Sequence, residues 1–194
     1  LLVGNIKLLD HMQEGSVIVE CGNTSPEFTK QMAAQAELRH VGYVDAPASG
    51  GSAGAQTGTL SIMAGGSQDA FQKVRPILED ISSELHYFGT AGMGQTAKLI
   101  NNMLVNGQLA LLSEVMVFAK KCNLNLDELF QTLSKGAAAS WVLQTYGSGI
   151  LNRPYQGSET PGGGFSGVRR GGRDKQLAWA VQMSDELETP LPIT

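Results

Sequence analysis

The 194-residue chain is long enough for one sizeable domain or two small ones, and its 42% hydrophobic content allows a packed core. Its net charge is −4, and its one basic cluster, Arg169, Arg170 and Arg173, is interrupted by Gly171 and Gly172, so the footprint of a nucleic-acid binder is missing. No apolar run approaches the roughly 18–20 residues that span a bilayer, and two distant cysteines without metal-ligand spacing, Cys21 and Cys122, suit a reduced intracellular setting (cytoplasm or mitochondrial matrix) better than a disulfide scaffold.

In chain order, residues 1–13 read as helical, and Ser16–Glu20 as a short apolar strand bounded by Gly15 and by Gly22-Asn23. Pro26 starts a helix through about 39, with Ser25 as its cap. A strand over 42–46 is stopped by Pro47; another over 59–64 is ended by Gly65-Gly66. A helix over 67–79, despite Pro76, leads to a strand over 84–88. Strands alternating with helices imply a parallel or mixed sheet. From Gly94 the strand signal disappears, and helices are expected at about 94–121, 125–135, 139–151 and 173–188, with a Pro/Gly loop over 158–164. The pattern is α/β followed by all-α, divided into 1–93 and 94–194. The chain opens without Met and stops at Leu191-Pro-Ile-Thr194 without an obvious cap, which reads as a fragment cut at both ends.

The most informative residues are Lys98 and Asn102, one turn apart after the glycine-spaced stretch Gly89…Gly92…Gly94. At i and i+4 they share a helix face. A lysine among Ala97, Leu99 and Ile100 loses solvation if the helix packs, which lowers its pKa and lets it exchange a proton with a hydroxyl near neutral pH. The alternative is a lysine snorkelling from a buried helix. In Asp45-Ala-Pro-Ala-Ser49-Gly50-Gly51, a hydroxyl and unshielded backbone N–H groups follow a strand and could hold a carboxylate, or form no more than a tight turn. Asn23 and Thr24 could hydrogen-bond a ribose or nicotinamide amide, or only help cap the next helix. Arg173 opens the last helix, where a cation could reach a cofactor or simply be solvated. His11, His40 and His86 are scattered, and no HExxH, Walker-type loop or Gly-x-Ser-x-Gly elbow is present.

Together, Asp45-Ala-Pro-Ala-Ser-Gly-Gly51, Gly58-Thr-Leu-Ser-Ile-Met-Ala-Gly-Gly66 and Gly89…Gly92…Gly94…Lys98…Asn102 resemble the β-hydroxyacid dehydrogenases. This is the family of 3-hydroxyisobutyrate dehydrogenase and tartronate semialdehyde reductase, with 6-phosphogluconate dehydrogenase as a relative. The resemblance implies the C-terminal part of a Rossmann-like domain, joined by a long helix to a helical dimerisation domain. It implies that Lys98 is the catalytic acid/base, that Asn102 orients the substrate hydroxyl, and that Ser49, Gly50 and Gly51 hold the substrate carboxylate. Asn23 and Thr24 would meet the nicotinamide side of NAD or NADP, with Arg173, or Lys175 in its place, also toward the cofactor. A small hydroxyacid substrate, a homodimer or homotetramer, and no nucleic-acid or membrane partner follow. The family usually reads Asp-x-Ser-Thr where this chain has Glu20-Cys-Gly-Asn23. Its opening Gly-x-Gly-x-x-Gly motif has no match here, so the chain alone is expected to bind a dinucleotide poorly. A catalytically silent oligomerisation module is the alternative.

Overall fold

The computed structural model describes residues 7–151 and 172–191. In chain order these form β1 (Val17–Glu20), α1 (Pro26–Glu37), β2 (Gly42–Asp45), β3 (Ala48–Ser49), α2 (Gly51–Thr57), β4 (Leu60–Gly66), α3 (Gln68–Asp80) and β5 (Ser82–Tyr87). Helices alone follow: α4 (Met93–Lys121), α5 (Leu126–Lys135), α6 (Trp141–Leu151) and α7 (Gly172–Glu186). The loop expected over 158–164 lies outside the described residues.

The helix expected over 1–13 is reduced, in its described part, to a 3-10 turn at Leu8–His11. Lys7 enters the turn in the left-handed region and Met12 leaves it extended. Leu9 is already buried from this turn against Met32, Ala36 and Tyr43, so a longer helix is not needed to anchor the segment.

Local signals account for the flanking helices. Ser25 accepts from the Phe28 N–H at 3.2 Å with Pro26 in the first turn, and Ser67 accepts from the Ala70 N–H at 3.2 Å. Along α1, Thr29, Met32 and Ala36 are buried; along α3, Ala70, Phe71, Val74 and Leu78 are. Each set is one stripe of a helix. Pro76 lies on the solvent side of α3, where the carbonyl it leaves unpaired can meet water.

β1 and β2 are parallel, from Val17 opposite Gly42 to Glu20 opposite Asp45. β4 runs antiparallel to both β2 and β3 and parallel to β5. Ile62 has Ala48 on one side and Leu85 on the other, so β5 takes the edge of β4 opposite β2 and β3. The sheet is therefore mixed. Successive residues of β2 face opposite ways: Tyr43 joins the cluster under α1, and Val44 joins the cluster under α3. The sheet is thus covered on both faces.

The chain divides within α4 into two units, Leu1–Ile100 and Asn101–Thr194. In the second unit, Asn125 caps α5 by accepting from the Asp127 and Glu128 N–H groups, and Ser140 caps α6 by accepting from Leu143 N–H. Gly147 of α6 lies so close to the Phe130 ring of α5 that a Cβ there would overlap it.

By length and mean hydropathy α4 could cross a bilayer, which corrects the expectation that no apolar stretch in the chain reaches that size. Lys98, Asn101, Asn102 and Asn106 break its apolar runs when residues are read one by one, but the average over a longer window absorbs them. Its first turn is tied by hydrogen bonds to the sheet, and mean hydropathy alone does not separate a spanning helix from a long helix of this kind.

Candidate active site

The site is built around the N-terminus of α4. A helix start leaves its first N–H groups without intrahelical partners. Here a side chain from another element takes them. Asp45, at the end of β2 and fully buried, accepts from the Gly92 N–H at 2.9 Å and the Gln95 N–H at 2.8 Å, one on each carboxylate oxygen. Burial raises the Asp45 pKa, while the two amides pull it back down. The close approach requires glycine: a Cβ on Gly65 would meet the Gly94 nitrogen at 2.7 Å and Asp45 Oδ1 at 2.8 Å. A Cβ on Gly94 would meet Asp45 Oδ2 at 2.8 Å and would overlap the Met63 carbonyl. The glycine spacing that precedes Lys98 is thus a packing requirement for seating the helix.

Lys98 lies one turn beyond Gln95. Only 8% of it is exposed, and its amine forms no ion pair or hydrogen bond among the described residues. Burial alone lowers its pKa to about 8. A lysine snorkelling freely from the helix would keep more of its side chain in water than this.

Gln95 is 2% exposed, and both ends of its carboxamide go to the loop between β1 and α1. Its Nε2 donates to the Gly22 carbonyl at 2.7 Å, and its Oε1 accepts from the Thr24 N–H at 3.3 Å. On the loop's other side the Thr24 hydroxyl pairs with Thr29 Oγ1 at 2.9 Å. The Thr29 hydroxyl and the Tyr43 hydroxyl both donate to Glu20 Oε2, at 3.0 and 2.9 Å. Thr24 is half-buried, whereas Asn23 is exposed and its side chain takes part in none of these bonds. Ser25, the next residue, caps α1 as its sequence implies.

Ser49 ends β3, and Gly50 and Gly51 turn directly into α2, an element the sequence does not announce. Both glycines have positive φ, 127° and 63°. The tight turn and the exposed N–H groups of a helix start therefore coexist at this point. β3 follows β2 across Pro47, so the strand end that holds α4 through Asp45 leads straight to Ser49.

Asn102 belongs to the second unit, where its Nδ2 donates to Gln176 Oε1 at 2.8 Å and its Oδ1 accepts from Asn101 at 3.1 Å. Gln176 lies on α7, near Arg173. The Arg173 backbone is in the first turn of α7, but its side chain lies outside the described residues. The Lys175 ammonium sits 5.1 Å from the centre of the Trp179 ring, one turn on along the same helix.

Residues 2–89 match the family model described as the NAD binding domain of 6-phosphogluconate dehydrogenase. Residues 92–160 match the model described as NAD-binding of NADP-dependent 3-hydroxyisobutyrate dehydrogenase. The chain belongs to the β-hydroxyacid dehydrogenase family. It is 32% identical over 187 residues to 2-(hydroxymethyl)glutarate dehydrogenase of Eubacterium barkeri, covering 96% of this chain and 60% of that protein. It is 33% identical to 2-hydroxy-3-oxopropionate reductase of Escherichia coli, covering 93% of this chain and 59% of that protein. The crystal structure of 3-hydroxyisobutyrate dehydrogenase from Salmonella typhimurium matches with a TM-score of 0.85 at 26% identity, over 100% of this chain and 64% of that one. This family member therefore spans about 60% of the length of those relatives. The mixed sheet followed by long helices is the architecture its resemblance implied.

Within the family frame, Asp45 and Gln95 are the residues that sequence reasoning leaves without a role. Asp45 carries a weak signal, an acid closing an apolar strand. Gln95 carries only its place one turn before Lys98.

Proposed function

We propose that the full-length protein is an NAD(P)-dependent dehydrogenase of small carboxylic acids bearing a β-hydroxyl or β-aldehyde, with Lys98 as general acid/base. The observation that carries this reading is the buried Lys98, whose amine has no partner among the described residues and a pKa lowered to about 8, on a helix start pinned by Asp45. A group titrating there can take a proton from an alcohol or return one at ordinary pH.

In oxidation the neutral Lys98 amine removes the hydroxyl proton; in reduction the ammonium returns it to the developing alkoxide. A cation facing that alkoxide in a dry site stabilises charge that appears only in the transition state. Ser49 Oγ and the Gly50 and Gly51 N–H groups would hold the carboxylate, supported by the positive-φ turn that presents them. Asn102, on the same uninterrupted helix as Lys98, would orient the hydroxyl by exchanging its bond to Gln176 for one to substrate.

The β1–α1 loop suits the nicotinamide end of NAD or NADP. It lies at the carboxyl end of a parallel strand and at the N-terminus of α1, with the Asn23 amide exposed and the Thr24 hydroxyl half-buried. Asn23 and Thr24 would hold that end, with Arg173 a further candidate. When bound, the nicotinamide supplies the hydride chemistry.

The names of the three relatives share a carboxylate next to a carbon that carries a one-carbon alcohol or aldehyde, and this substrate class is carried over here. Two free, exposed cysteines, Cys21 and Cys122, suit a reducing compartment. The apolar residues exposed on α4 support a homodimer or homotetramer.

The test is to assay the full-length protein against a panel of short β-hydroxyacids with both cofactors, following the reduced nicotinamide. Acid-dependent turnover with one of them is expected. No turnover across the panel, in a protein shown to be folded, would favour a catalytically silent module.

A further inference from the structure

We propose that Gln95 is a positioning residue: its buried carboxamide locks the Gly22–Thr24 loop to the first turn of α4, so that the loop and Lys98 are held in one register. The proposal rests on the dehydrogenase reading, in which this loop faces the nicotinamide.

Among the described residues the loop has little else to order it. Gly22 and Asn23 are exposed, and a Cβ built on Gly22 would meet nothing within 4 Å. An exposed glycine has the largest backbone freedom of any residue. The constraints come from hydrogen bonds at two points. Thr24 is reached from α1 through Thr29, and Gly22 and Thr24 are reached from α4 through Gln95. A buried amide is costly unless both its ends are paired, and Gln95 pairs both ends with this one loop. The backbone N–H of the same residue is held by Asp45. Gln95 thus joins three things that the chain separates widely: the β1–α1 loop, the end of β2 and the helix carrying Lys98. A loop ordered in advance spares a ligand the cost of ordering it. Gln95 therefore contributes to cofactor affinity without touching the reacting atoms.

The experiment compares the full-length protein with its Gln95→Met variant, which keeps length and volume but lacks the amide. Calorimetric titration with NAD(H) and NADP(H) gives Kd without turnover, and hydrogen–deuterium exchange follows residues 22–24. Expected are a Kd for the cofactor weaker by about tenfold, faster exchange in the loop, and an unchanged pH midpoint of kcat. A lower melting temperature with unchanged Kd would mean that Gln95 is only structural and would overturn the proposal. If Gln95→Met does not fold, Gln95→Asn, one methylene short of the loop, must weaken Kd in the same direction, and an unchanged Kd there sinks the idea equally. The two readings fail separately. A parent protein that binds neither cofactor removes the dehydrogenase reading and this proposal with it; a parent that binds and a variant that binds equally well removes only the role of Gln95.

Discussion

Burial pushes two ionisable side chains of this site toward their neutral forms, but only one of them has hydrogen bonds that resist the push. Asp45 is fully enclosed, and two backbone amides at a helix start offset part, though not all, of the upward push that burial gives its pKa. Lys98 is enclosed without such compensation, so its amine moves toward neutrality. The first arrangement seats a helix; the second is the one the proposed mechanism uses for proton transfer. If the proposed function holds, Lys98→Ala in the full-length protein is expected to lower kcat by at least about a hundredfold, the usual scale for losing a general acid/base, with calorimetric cofactor affinity nearly unchanged. Near-normal turnover in that variant would remove Lys98 from the mechanism. The pH dependence has a definite sign. Oxidation needs the neutral amine, so kcat/KM for the hydroxyacid should climb as pH rises through about 8 and then level off. Reduction needs the ammonium, so its rate should fall over the same range. Parallel profiles in both directions would contradict the assignment.

At the scale of elements, the decisive contact is between the start of α4 and the end of β2. Asp45→Asn keeps the shape but turns an NH2 group toward one of the two helix N–H donors it now satisfies. Leaving a buried donor unpaired costs about 1–3 kcal/mol, so the denaturant midpoint should fall without a change in m-value. Gly94→Ala tests the same junction by volume. Its Cβ would press on Asp45 Oδ2, on the Asp45 carbonyl at 2.9 Å and on the Met63 carbonyl, and backbone atoms cannot swing aside. A loss of about 3 kcal/mol is expected, read by chemical denaturation; a variant as stable as the parent would show that the junction opens easily. Either change displaces the helix that carries Lys98, so activity should fall together with stability. This coupling distinguishes them from Lys98→Ala, where activity falls alone.

At the scale of the whole molecule, α4 leaves large apolar side chains uncovered. Leu104 is 63% exposed, Leu111 61% and Phe118 71%. Scattered surface leucines are ordinary, but a row of them along one long helix is the usual mark of an association surface. The full-length protein is expected to elute as a homodimer or larger in light-scattering chromatography, and Leu104→Glu with Phe118→Glu should shift it toward monomer. A parent that is monomeric at micromolar concentration would refute this.

Much of this protein is legible in its sequence because the signals are local. Ser25-Pro26 and Ser67 mark helix starts through hydrogen bonds to residues three positions on. Apolar spacing marks α1, α3 and the helical second half, and the Ser49-Gly-Gly and Lys98…Asn102 motifs stand out by residue type alone. In its described part the first helix is over-read, because Leu9 needs only one turn to reach the core. α2 is missed because a run of Gly, Ser and Ala carries no stripe. What tertiary structure alone decided is the meeting of distant polar groups. Asp45 reaches amides 47 and 50 positions away, and Gln95 reaches a carbonyl 73 positions back. No short-range rule links such pairs. Only the seating of the α4 start against the sheet, permitted by Gly65 and Gly94, brings them within hydrogen-bonding distance, and only the folded chain buries Lys98 and lowers its pKa.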